Sequence, residues 1–221
     1  MFLDVPFIFV KMKIAVLLLS ALLSAGAAAL DFDFTGPVPA AKGKVPMIKL
    51  NDSLTIGGSL KRTALHFNGT GEPLKVPGSA GLPLENGLTL ALDFFSADRN
   101  DGKNWQMLVF KPGEWLLDRN GNRICFKWKS GKKWIQVFQQ QMTFERPRRM
   151  VLIIDKQRKL TLLVDGKKVR SSDLSGQPEP NRCGNGVITL GGGWSTGNFK
   201  GDIYRIKVLN EIWNDQKAAE F

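Results

Sequence analysis

The sequence predicts an all-β protein, a sandwich of two antiparallel sheets. Short apolar runs follow one another along the chain, many alternating with polar residues at the period of a half-buried strand. Glycine, proline and Asn-Gly or Asp-Gly pairs punctuate those runs at the spacing of a sandwich or barrel. Past the first thirty residues only Asp215 to Phe221 reads as helical, and no segment there is long and apolar enough to span a membrane. At 221 residues and 43% hydrophobic content the chain suits one domain with a real core. No internal repeat or linker divides it.

In chain order, Leu30 to Phe34 alternates and forms the first expected strand, ended by Gly36-Pro37-Val38-Pro39. Ile48 to Leu50 and Leu54 to Ile56 are short strands with Gly57-Gly58 as a turn. Ala64 to Asn68, Leu82 to Leu84 and Gly87 to Phe95 follow. After a polar loop, Ser96 to Asn104, comes Trp105 to Phe110. Trp115 to Asp118 and Arg123 to Trp128 pair across Arg119-Asn120-Gly121-Asn122, because Asn-Gly is a strong hairpin signal. In the return strand Ile124, Phe126 and Trp128 face one side, and Arg123, Cys125 and Lys127 face the other. Ser130 to Lys133 turns into Trp134 to Phe138. Met150 to Ile154 and Leu160 to Val164 are apolar strands, and Asp165-Gly166 is a tight turn into Lys167-Lys168-Val169. Ser171 to Gly186 is a loop, Val187 to Leu190 a strand. Near the end Tyr204, Ile206 and Val208 alternate with Arg205 and Lys207.

The N-terminus reads as a secretory signal peptide over residues 1–29. Met12-Lys13 is its positive start, Ile14 to Leu23 its apolar run, and Ala25 to Ala29 its small-residue cleavage region. Met12 is the expected true start, and the mature domain, residues 30–221, begins near Leu30. The expected location is therefore periplasmic, cell-surface or extracellular.

The formal charge is +11. Setting aside Lys11, Lys13 and Asp4 leaves 29 basic and 19 acidic residues, and Lys127 to Arg170 alone carries 13 Lys+Arg against 3 Asp+Glu. The whole excess sits in that stretch. It reads either as a field that draws polyanions or as a solvated face. Lys132, Lys133, Lys167 and Lys168 are its candidate contacts. Nucleic acid is not expected for an exported chain with no recognition helix.

The closing stretch, GGGWSTGNFKGDIYRIKVLNEIWN from Gly191 to Asn214, resembles the last strands of the laminin-G-like jelly rolls in the concanavalin A-like lectin/glucanase superfamily. Gly192-Gly193, Phe199, Gly201, Ile203, Ile206, Val208 and Asn210 fall in its register. Ala64-Leu65-His66-Phe67-Asn68-Gly69 resembles the family's Ala-Leu-x-Phe-Asp-Gly, and Leu162 to Val169 its Leu-Tyr-Val-Asp-Gly-x-x-Val hairpin. The resemblance covers Leu30 to Asn214 and implies a concanavalin A-like/laminin-G-like jelly roll. Tyr204 and Arg205 replace the family's Asp-Glu pair, so no role of those acids carries over.

Enzymes of this fold that cut β-glucans place Glu-x-Asp-x-x-Glu on one strand, as a nucleophile and general acid. That pattern is absent. Asp93 has no acidic partner two residues on, the single histidine, His66, reads as structural, and neither a nucleophile elbow nor a zinc spacing occurs. Asp98, Asn100 and Asp101 form an acidic loop of the sort usually solvated, so calcium lacks support and no cofactor is expected.

Binding remains. Pyranose rings stack on exposed aromatics while their hydroxyls seek polar groups. Trp194, in a glycine-rich loop with Ser195 and Asn198, leads the candidates, and Trp115 is another. Core filling is the competing role for each tryptophan. The reading is a secreted, non-catalytic module for a glycan or an anionic extracellular or envelope polymer. A structural or adhesion protein that contacts an extracellular protein is the alternative, followed by a hydrolase with an atypical site. Cys125 and Cys183 are an even pair in an exported chain, either one bridge or two free thiols.

Overall fold

The computed structural model describes residues 28–34, 48–51, 54–57, 64–76, 84–98, 105–182, 186–193 and 197–221. Among the described residues fifteen strands form two antiparallel sheets: β1 Ala28–Asp33, β2 Ile48–Asn51, β3 Leu54–Gly57, β4 Ala64–Asn68, β5 Leu74–Lys75, β6 Leu88–Ser96, β7 Trp105–Lys111, β8 Trp115–Asn120, β9 Arg123–Ser130, β10 Lys133–Gln141, β11 Arg148–Ile154, β12 Lys159–Val164, β13 Lys167–Asp173, β14 Thr189–Leu190 and β15 Lys200–Leu209. The larger sheet runs β13-β12-β11-β6-β15-β4-β3-β2, with β1 beside β15. The smaller runs β10-β9-β8-β7-β14-β5. This is a jelly-roll sandwich, as the sequence predicts.

The alternation read from the sequence fills its core. Leu88, Leu90, Leu92 and Phe94 on β6, and Met150, Leu152 and Ile154 on β11, meet Leu117 on β8 and Ile124, Phe126 and Trp128 on β9. Burying each such side chain contributes about 1.5–3 kcal/mol. Asp165 (φ 50) and Gly166 (φ 76) both have the positive φ of a type I′ turn, whose twist matches its flanking strands. Alternation breaks at register shifts: Leu108 and Val109 in β7, and Val137 and Phe138 in β10, are sequence neighbours that both join the core, and β15 breaks as well. A register shift between Ile203 and Arg205 puts both Ile203 and Ile206 into the core, while Tyr204 is buried outside that cluster.

A second apolar cluster covers the outer face of the larger sheet. Ala91, Val151, Ile153, Leu163 and Leu209 are roofed by Trp213, Ala218 and Phe221 of the C-terminal segment. Its helix, Asp215–Glu220, is capped by Asn214, whose side chain accepts from Lys217 N at 2.8 Å. Of the expected strand Leu82 to Leu84 only Leu84 lies within the described residues, and it opens a 3-10 turn, Leu84–Asn86.

Candidate functional site

The outer face of the smaller sheet carries the residues that alternate against the core of β8, β9 and β10. Pairing sets them in four rungs: Trp134 beside Lys129; Gln136 and Lys127 beside Leu116; Gln139 and Cys125 beside Asp118; Gln141 and Arg123 beside Asn120. From Lys129 to Arg123 the rungs span about 20 Å at ~3.3 Å per residue. Arg123, Gln136, Gln139 and Gln141 are exposed, and Lys127, Lys129 and Trp134 are partly so. The Trp134 ring rests on Phe110, with centroids 6.2 Å apart, beside a cluster of Met107, Phe110 and Leu116. The result is a strip with an aromatic end, a run of glutamine amides and a line of cations.

Beneath that strip lies a charged pair. Asp118 is fully buried and holds Lys127 Nζ at 2.5 Å. Cys125 sits between them in sequence and opposite Asp118 in register. Burial first, and then the Asp118 charge, push its thiol from 9.0 up to about 11. The expected Cys125–Cys183 bridge is corrected here, since Cys125 is a free, buried thiol. Cys183 lies outside the described residues.

The glycine-rich segment crosses this sheet at β7. A Cβ at Gly193 would meet Phe110 at 2.1 Å, and one at Gly197 would meet Trp105 at 2.1 Å. Gly197 also has φ +83, so both space and backbone demand glycine there. Asn198 forms a parallel bridge with Met107, and its amide nitrogen donates to Gly71 O at 2.8 Å. Its side-chain amide braces the loop. Trp194 and Ser195 lie outside the described residues.

Trp115 is corrected as a ligand contact. It is 0% exposed, stands opposite Trp128 in register and packs in the core with Phe126, so it offers no ring face to a sugar. The expected basic contacts do not share one face either. Lys132 and Lys133 sit at the β9–β10 turn, where Gly131 N donates to Asn181 Oδ1 at 2.7 Å and Asn181 N to Lys129 O at 2.6 Å. That end of the sandwich also holds the β11–β12 turn, through Arg158 over the Trp128 ring. Lys167 and Lys168 lie past the β12–β13 turn, a full β12 strand away, roughly 20 Å. Lys168 is paired there with Asp215 of the helix. Strand order separates charges that sequence proximity suggested were together.

Four arrangements were invisible in the sequence. Arg119 is buried beside a cleft of about 390 Å³ formed with Phe95, Asp98, Asn122 and Phe144. Its Nε donates to Gly121 O at 2.7 Å and its Nη1 to Ser96 O at 3.0 Å; Asp98 pairs with Nη2, and Phe144 lies under its guanidinium at 4.2 Å. Those contacts make it a brace of the sandwich end. Lys111 and Glu114 form a fully buried ion pair at 2.8 Å under the β7–β8 turn. Asp93 is buried on the outer face of the larger sheet, opposite Arg149 and Arg205 in register. His66 Nδ1 lies 2.7 Å from Asp202 Oδ1 across the β4–β15 pair, a cross-strand tie. Among the described residues no group of three His, Cys, Asp or Glu could hold a metal ion.

No known family model matches the chain, and no curated protein matches it. Solved structures do share its fold. The CBM40 of the Ruminococcus gnavus IT-sialidase, bound to alpha2,3 sialyllactose, is 15% identical with a TM-score of 0.57, over 71% of this chain and 95% of that one. The binding domain of botulinum neurotoxin serotype D is 8% identical with a TM-score of 0.64, over 88% of this chain and 51% of that one. The type G receptor-binding domain is 10% identical with a TM-score of 0.62, over 88% and 50%. This chain thus spans about half the length of those toxin domains. At these identities the likeness is one of fold, and this chain has the β-sandwich architecture of those binding domains.

Proposed function

We propose that the protein is an exported, non-catalytic carbohydrate-binding module whose ligand lies along the β8–β10 face. The carrying observation is the strip itself: a partly exposed tryptophan seated on Phe110, continued by Gln136, Gln139 and Gln141. A carboxamide donates and accepts at once, as a sugar hydroxyl does, so a row of amides suits a polyol. An aromatic end suits the apolar face of a pyranose. Lys127, Lys129 and Arg123 beside the amides favour a glycan with acidic substituents. The neighbouring folds include a sialyllactose-bound module, which supports the same reading.

Export rests on the leader. Ala25-Gly26-Ala27-Ala28-Ala29 supplies the small residues of a cleavage region just before Leu30. N-terminal sequencing of exported protein should begin near Leu30; an intact Met1 or Met12 would count against export.

The binding test is a glycan array followed by affinity measurement on the hits. Trp134→Ala should weaken binding at least ~10-fold, about 1.4 kcal/mol, with thermal unfolding close to wild type because the ring is partly exposed. Equal affinity in wild type and variant would remove the face from the account.

A further inference from the structure

We propose that β10, the edge strand of the smaller sheet, is a pairing surface for a second copy of this chain, so that two copies join their smaller sheets edge to edge. The proposal does not depend on the sugar-binding reading. Edge pairing acts through the backbone in the plane of the sheet, whereas the strip points out of that plane.

Strand order puts β10 at the end of its sheet, where among the described residues it pairs with β9 and no other strand. It is nine residues long, and from Trp134 to Gln141 it carries no charge, no proline and no glycine. An edge of that kind is a template for another strand, and sheets ordinarily blunt their edges with lysines, prolines or short strands. The far end of the same sheet is blunted by brevity, since β5 is only Leu74–Lys75. The β13 edge of the larger sheet is blunted by charge, with Lys167, Lys168, Arg170 and Asp173 among its seven residues. β10 has neither protection.

The backbone of β10 shows the open side. In an antiparallel ladder alternate residues turn their N–H and C=O groups away from the paired strand. Gln139 and Gln141 are such alternates. Gln139 O accepts from Arg170 Nη1, which reaches across from the larger sheet at 3.3 Å, and Gln141 O accepts from the Gln140 side chain at 3.3 Å. Both bonds are long and come from side chains at the surface, where a neighbouring strand would supply shorter ones.

Charge and register select the occupant. At a formal charge of +11, like copies repel over most approaches, and an uncharged edge opposes them least. The edge is also self-complementary. A two-fold axis between Val137 and Phe138 sets Trp134 opposite Gln141 of the second copy, and Gln136 opposite its Gln139. All four lie on the outward face, because the shift between Gln136 and Phe138 changes the parity of the strand. Outward residues therefore meet outward residues, and the irregularity of each copy falls on the axis. Gln136–Gln139 pairs flank that axis on both sides, each amide able to donate and accept. The pairing is isologous and closes at two copies. It merges the two smaller sheets into one and lays the two strips side by side.

Sedimentation of the exported protein from ~1 µM to ~1 mM, at low and at high salt, tests the pairing. Dimer should form as concentration rises and tighten as salt rises, because screening relieves repulsion between the copies. Gln136→Lys/Gln139→Lys sets lysine against lysine across the axis and should weaken the dimer at least ~10-fold, with thermal unfolding close to wild type because both positions are exposed. Gln136→Glu/Gln139→Glu should weaken it likewise. Mixing the two variants sets lysine against glutamate and should restore it. Folded wild type that stays monomeric at ~1 mM, a dimer that both variants leave unchanged, or a mixture no more dimeric than either variant alone would overturn the proposal. Glycan affinity of wild type and Trp134→Ala reads the strip separately, so the two proposals stand or fall apart.

Discussion

Cys125 shows how a single residue changes meaning when neighbours are known. In sequence it is half of an even pair; in the fold it is buried opposite Asp118, a free thiol raised to about 11. Between its ordinary value of 9.0 and about 11 the unfolded chain gives up the proton while the folded protein keeps it. Stability from this group is therefore complete below pH 9 and declines as pH rises toward 11. Denaturant unfolding at stepped alkaline pH should show that decline, and Cys125→Ala should flatten it. A thiol reagent should label the folded protein slowly at pH 8 and the denatured one at once. Rapid labelling of native protein would contradict the buried, protonated thiol. Trp115 and Trp134 make a related point. Both are tryptophans near strand starts, but Trp115 shares its strand face with core residue Leu117, whereas Trp134 pairs with outward-facing Lys129. Parity along the strand carried that distinction, once the inward face was known.

Hairpins were the most legible elements. Asp165-Gly166 forms the turn its residue types demand, and Gly121 (φ 60) opens the β8–β9 connection. The β15 bulge at Tyr204 left no comparable mark, because a bulge inserts one residue without changing composition. The C-terminal roof was half legible. A short helix after Trp213 is readable from Asn214 and its followers, but its berth on Ala91, Val151, Ile153 and Leu163 depends on strands far away in sequence. That berth is large enough to matter. Trp213→Ala should cost about 3–5 kcal/mol by denaturant unfolding and expose an apolar patch that binds a hydrophobic dye. Unchanged stability would mean that the segment does not seat on the sheet.

For the whole molecule, the fold class followed from local signals, whereas the grouping of charges did not. Strand order puts Lys132 and Lys133 at the end opposite Lys167 and Lys168, and no local pattern encodes that. The same topology makes a usable surface of residues spread over three strands, with Trp134, Gln136 and Gln139 on β10, Lys127 on β9 and buried Asp118 on β8 beneath them. That surface is the central claim. It is tested most directly by following the backbone, glutamine-amide and indole resonances of the isotope-labelled protein during titration with an array-selected glycan. The account predicts shifts concentrated on the Trp134 indole and on the Gln136, Gln139 and Gln141 amides, with the larger sheet undisturbed. Shifts confined to any other surface, with those four side chains unmoved, would contradict it.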